Sequence, residues 1–187
     1  MKKLDKIRGH LHTINAHKLL VTKLCFACGL YRQGLLHDLS KYSPLELRTG
    51  FRYFQGYRSP IEAQKEHEGY SFSWLHHKGR NPHHWEYWID NGSRGVHPVK
   101  MERRYVAEMF CDRVAASMIY QKEKYTDRSA LNYYLAAKDH MMMHPETARD
   151  LEYLLDYLAR HGLANALDFI RRVYLPSGLD ARDGKTV

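Results

Sequence analysis

Apolar side chains recur every three or four residues through most of this chain, a spacing that suits helices packed against helices. Ile7, Leu11, Ile14, His17, Val21, Leu24 and Cys28 share one face of a first helix, with Gly29 as its stop. A shorter second helix carries "YRQGLLHDLSKY". "SPLE" at 43–46 and "SPIE" at 59–62 each read as a capping box with proline in the first turn. The second of these predicts a helix running from Ser59 toward Gly79. "NPHHWEYWID" suits one or two helical turns, "NGSRG" at 91–95 a loop, and a long helix follows over about 99–124. Another begins after Asp127, and a closing pair at 145–161 and 163–174 is split by Gly162. No period-two pattern marks a strand. The expectation is an all-α fold, one helical domain over 1–175 with a loose, flexible tail at 176–187. A length of 187 residues is enough for a single self-sufficient core.

Two polar residues sit where apolar ones are expected. His17 lies on the apolar stripe of the first helix, and His10 shares its face. A buried imidazole needs a partner at each ring nitrogen, and a metal ion is one such partner. Asp112 sits mid-helix in "YVAEMFCDRVAASMIY", where burial demands a salt bridge, for instance with Arg113, or a cation. The thirteen histidines are unevenly placed. His37 stands beside Asp38 in "LLHDLSKYSP", and His76, His77, His83 and His84 crowd into "WLHHKGRNPHHWEYW".

The order His17, His37–Asp38, histidines at 76–84, then Asp112 resembles the HD superfamily of metal-dependent phosphohydrolases, named for its adjacent His-Asp pair. "HDLSK" is similar to the "HDIGK" of one branch. The resemblance covers about residues 7–115. It implies an HD-like helical bundle in which His17, His37, Asp38 and Asp112 hold one metal. It also implies that some of His76, His77, His83 and His84 hold a second, as in the two-metal branches. "HHKGRNPHHWEYW" departs from the named branches. The ligands can meet only if the first helix ends early or the second crosses it steeply, because the helix travels ~18 Å between His17 and Gly29.

Imidazole nitrogen and carboxylate oxygen suit a divalent ion such as Mn, Fe, Zn, Co or Ni, one or two of them. Such an ion acidifies water at its open positions and polarises a phosphoryl oxygen. Asp38 is the expected catalytic ligand. Lys41, one turn beyond His37, is a candidate for phosphate contact, with Arg80, Arg103 and Arg104 behind it. Trp74, Trp85, Tyr87 and Trp88 are candidates for an aromatic wall, or for core packing. A formal charge of +8 favours an anionic partner. No basic run points to nucleic acid, so a small phosphorylated or nucleotide substrate is expected. The alternatives are a di-iron HD-like oxygenase and a non-catalytic metal-binding scaffold. Cys25 and Cys28, with only Cys111 to join them, read as small core residues. The basic start lacks the unbroken apolar core of a signal peptide, and no stretch reaches the ~20 apolar residues of a membrane span. A cytoplasmic protein without a membrane partner is the expectation.

Overall fold

The structure, a computed structural model, describes residues 2–93 and 95–179. It is all-α apart from one small hairpin. The helices are α1 (Lys3–Ala27), α2 (Tyr31–Leu36), α3 (Pro44–Tyr53), α4 (Pro60–Glu68), α5 (Phe72–Lys78), α6 (Arg103–Gln121), α7 (Ser129–Ala137), α8 (Pro145–His161) and α9 (Leu163–Phe169). A π turn at Ile170–Tyr174 carries α9 into a last helical turn, Leu175–Ser177. The expected tail therefore begins later than residue 176, and its part from residue 180 lies outside the described residues.

The core forms where α1 lies along α6 and α8 closes over α6. Val21, Leu24 and Cys25 of α1 meet Val106, Phe110, Cys111 and Val114 of α6, and Leu151, Leu154, Leu155 and Leu158 of α8, all buried. The last four fall at i, i+3, i+4 and i+7, so α8 offers one continuous apolar stripe. Fully burying each such leucine contributes about 1.5–3 kcal/mol. Cys28 Sγ and Cys111 Sγ lie 4.0 Å apart in this core, and all three cysteines are free and buried.

Four expectations from sequence need correction. Residues 89–98 form an antiparallel hairpin, β1 (Ile89–Gly92) and β2 (Gly95–Pro98), with Asn91 opposite Val96. Its strands are four residues long and mostly exposed, so no apolar alternation announces them, and the helix expected from residue 99 starts at Arg103. The helix expected from Ser59 to Gly79 is broken at Gly69, whose φ of 79° ends α4 before Ser71 caps α5. Both capping boxes are half-formed. Ser43 accepts from the Glu46 amide and Ser59 from the Ile61 amide, but the two glutamate carboxylates bond elsewhere.

The early-ending or steeply crossing first helix is not needed. α1 runs its full length, and α2 doubles back along it. Gly34 makes the close approach: a Cβ there would stand 3.1 Å from Cys25 Cβ and the Phe26 ring. Thr22 Oγ1 donates to the Gly34 carbonyl, and Lys18 Nζ donates to the carbonyls of Leu35 and His37. This return brings residue 37 level with His17.

Candidate metal centre

The His-Asp pair does not lie within a helix. α2 ends at Leu36; His37 is its C-cap, with φ −49° and ψ 127°, and Asp38 takes φ 54° and ψ 25°, before a 3₁₀ turn over Leu39–Tyr42. A left-handed non-glycine residue is uncommon, and aspartate tolerates it better than most. The sharp corner turns both side chains inward, which successive residues of a regular helix cannot do, since they point about 100° apart.

Around that corner two sets of ligand atoms converge. His17, His37, Asp38 and Asp112 form one, and Asp38, His77, His83 and His84 the other; within each set the atoms lie within 4.8 Å of one another. Asp38 faces both. Its Oδ2 stands 3.2 Å from His37 Nε2 and 3.8 Å from His17 Nε2, while its Oδ1 stands 3.2 Å from His77 Nε2 and 3.4 Å from His83 Nε2. Asp112 Oδ1 completes the first set, 2.9 Å from His17 Nε2 and 3.4 Å from His37 Nε2. Ligands bound at about 2.1 Å to one ion stand roughly 3.0–3.4 Å apart in octahedral or tetrahedral geometry. The observed spacings are of that size.

Burial sharpens this reading. His37, Asp38, His77 and His83 are each 1% exposed. Yet His37 Nε2, both Asp38 carboxylate oxygens, His83 Nε2 and His84 Nε2 have no partner in hydrogen-bond geometry. Buried polar atoms are nearly always satisfied. Five of the eight unsatisfied side-chain atoms among the described residues belong to the two convergent sets, the others being on His10, Glu86 and Arg113, and the donor chemistry and placement of those five fit divalent cations.

Behind the convergent atoms lies an ordered support. Glu108 Oε1 accepts from His37 Nδ1 at 2.9 Å and lies 3.1 Å from His83 Nδ1. Glu46 Oε2 accepts from His77 Nδ1 at 2.8 Å. In the neutral ring, a carboxylate accepting at Nδ1 fixes the tautomer whose Nε2 lone pair is free for a cation. Asn81 Nδ2 donates to Ser40 Oγ and to the His77 carbonyl, tying the corner to α5. A third convergent group, His37, His83 and Glu108, is this support. Neither glutamate stands out in sequence as a ligand partner. Glu108 sits one turn before Asp112 on α6, a spacing that places both on one face. In sequence, Glu46 reads as the closing residue of a capping box, whereas its carboxylate bonds His76 and His77.

Charge is tightly coupled here. Burial alone would raise the Asp38 carboxyl, but His37, Lys41 and His77 hold it well below the usual carboxylate range. Burial likewise opposes the His37 charge, yet Asp38, Asp112 and Glu108 push that imidazole well above its ordinary value. His77, against the same desolvation, is raised to about 9 by Asp38 and Glu46. Burial, then the neighbouring histidines, keep His84 neutral. Lys41 Nζ lies 2.5 Å from Asp38 Oδ2 and supplies one positive charge to the cluster.

Not every expected residue joins. His76 donates from Nδ1 to Glu46 Oε1 at 2.8 Å and stands behind that carboxylate, outside both convergent sets. Its neighbour His77 is one step round α5 and faces inward instead. Arg80 bonds the His76 carbonyl, Arg103 the Tyr174 and Leu175 carbonyls, and Arg104 pairs with Glu102. None of the three lines the cavity beside the cluster. That cavity, ≈ 570 Å³, is bordered by His17, Lys41, His77, His84, Trp74 and Trp85, among others. Trp88 instead donates to the Pro82 carbonyl, and Tyr87 is half exposed. His10 also borders the cavity but packs against Phe51 and Phe54, away from the convergent sets.

A family model described as a family of unknown function, DUF5662, matches residues 6–157, which include every residue of both convergent sets. The chain belongs to the DUF5662 family. No curated protein and no solved structure matches it. The DUF5662 match spans α1 to most of α8 and so takes in the α1–α6 pair that frames the cluster. Among the described residues no helix is long and apolar enough to cross a membrane.

Proposed function

We propose that this protein is a metal-dependent phosphohydrolase, an HD-like enzyme with two divalent ions sharing Asp38, acting on a small phosphorylated substrate. The observation that carries the reading is the convergence of buried His and Asp atoms beside an open cavity, with His37 Nε2, Asp38 Oδ1, His83 Nε2 and His84 Nε2 lacking a hydrogen-bond partner. A site meant only for structure closes its coordination shell with protein atoms, whereas a catalytic site keeps positions open.

His17, His37, Asp38 and Asp112 would hold one ion, and Asp38, His77, His83 and His84 the other. Ions of the Mn, Fe, Zn, Co or Ni type would supply Lewis acidity toward a phosphoryl oxygen and a nucleophile at neutral pH. The chain's own part is positioning. Glu108 and Glu46 keep Nε2 of the histidines aimed inward. The buried corner excludes bulk water from the ligand atoms. Lys41, at the cavity edge and 2.5 Å from Asp38, would meet a substrate phosphate with its ammonium group.

The test is hydrolysis of a generic aryl phosphate by untagged protein loaded in turn with each of the five metals. Asp38→Asn should lose most of its metal affinity, and hydrolysis should fall with it. Oxygen uptake with iron and no phosphate release would favour the oxygenase alternative. Metal retained without either activity would favour the scaffold.

A further inference from the structure

Arg113 follows Asp112 on α6 and lines the same cavity, partly buried. Its Nε is buried without a partner, and among the described residues the side chain makes neither a hydrogen bond nor an ion pair. Its aromatic neighbour is the Tyr134 ring, 5.9 Å from Cζ to centroid. Asp112 makes no ion pair with it, its carboxylate being engaged by His17 and His37, and burial outweighs the favourable charges of Asp112 and Glu86 on the guanidinium. The other lining cations are paired: Lys41 with Asp38, Arg58 with Glu66, Lys65 with Glu62. Glu86 also faces the cavity, with Oε2 unpartnered, but forms no ion pair with Arg113.

A desolvated guanidinium without an anion is costly, and its five donors form a planar fork that fits phosphate or carboxylate bidentately. The volume of the cavity suits a small metabolite. Trp74, Trp85 and Tyr133 line it as well.

We propose that Arg113 anchors a second anionic group of the substrate, so that this cavity takes a small bis-anion with one phosphoryl group at the His/Asp cluster and a phosphate or carboxylate at Arg113. The proposal rests on the phosphohydrolase reading for the first of those groups.

The test measures binding to the full chain loaded with Mn²⁺, by calorimetry. The probes are alkane α,ω-bisphosphonates and ω-carboxyalkylphosphonates of graded length, against the matching alkylphosphonates. One of the two series with two anionic groups should bind about tenfold or more tighter than its counterpart with one, and which series does so identifies the second group. Arg113→Met should bring that ratio close to one, and Arg113→Lys should restore part of it. Metal-free Arg113→Met should melt no lower than wild type, because it loses a partly buried charge without a bridge. A ratio near one in wild type, or a ratio that survives Arg113→Met, would overturn the proposal. An Arg113-dependent preference without turnover of any phosphate ester would keep this anchor and end the hydrolase reading. Turnover of an aryl phosphate without any preference would do the reverse.

Discussion

At the scale of single residues, the cluster balances protons against metal. Without metal, the folded His77 holds its proton up to about pH 9, against an ordinary value of 6.5. The stability that this proton contributes is complete below pH 6.5 and is lost as pH rises through about 9. His37 shifts in the same direction. Both rings must give up that proton to bind an ion. Melting in chelator should therefore fall between pH 6.5 and 9, while the increment from Mn²⁺ grows over the same interval, with proton release visible by calorimetry in buffers of different ionisation enthalpy. A pH-independent increment would argue against these histidines as ligands. Glu108→Gln keeps the shape of the support but not its charge, and should weaken metal binding by about 10–100-fold; unchanged affinity would show that Glu108 has no such role. The convergent residues are legible in sequence: His17 and Asp112 stand at apolar positions, His37 and Asp38 form an adjacent pair, and His77, His83 and His84 belong to a crowded stretch. Glu108 and Glu46 are not, since a glutamate on a helix is ordinary until the fold places an imidazole against it.

At the scale of elements, the α1–α2 return sets the cluster, and it depends on Lys18 and Gly34. Lys18→Met strips two backbone carbonyls of a charged donor. It should cost about 1.5–3 kcal/mol of metal-free stability and lower metal affinity by letting the corner shift. Chemical denaturation and metal titration measure the two, and loss of stability with full metal affinity would show that the corner is held by other contacts. Helices α1, α6 and α8 were legible because each presents an apolar stripe several turns long. The break at Gly69 was not, because "EGYS" sits between two segments of compatible helical pattern. The hairpin was missed because its short strands face solvent and are held by main-chain pairing, which leaves little mark on side-chain choice.

At the scale of the whole molecule, the apolar core around α1, α6 and α8 is built without the cluster, so the fold should outlast the metal. Chelation should lower the melting temperature without unfolding the chain at 25 °C, and metal at a hundredfold excess over Kd should return about 2.7 kcal/mol. Unfolding on chelation would instead mark a structural ion. Whether the buried His/Asp cluster holds metal on both sides of Asp38 is decided by anomalous diffraction from crystals of untagged protein grown with Mn²⁺. Two peaks should flank the Asp38 carboxylate, one beside His17 and Asp112 and the other beside His77 and His83. No peak within coordination distance of Asp38, with Lys41 still paired to it, would rule the metal centre out.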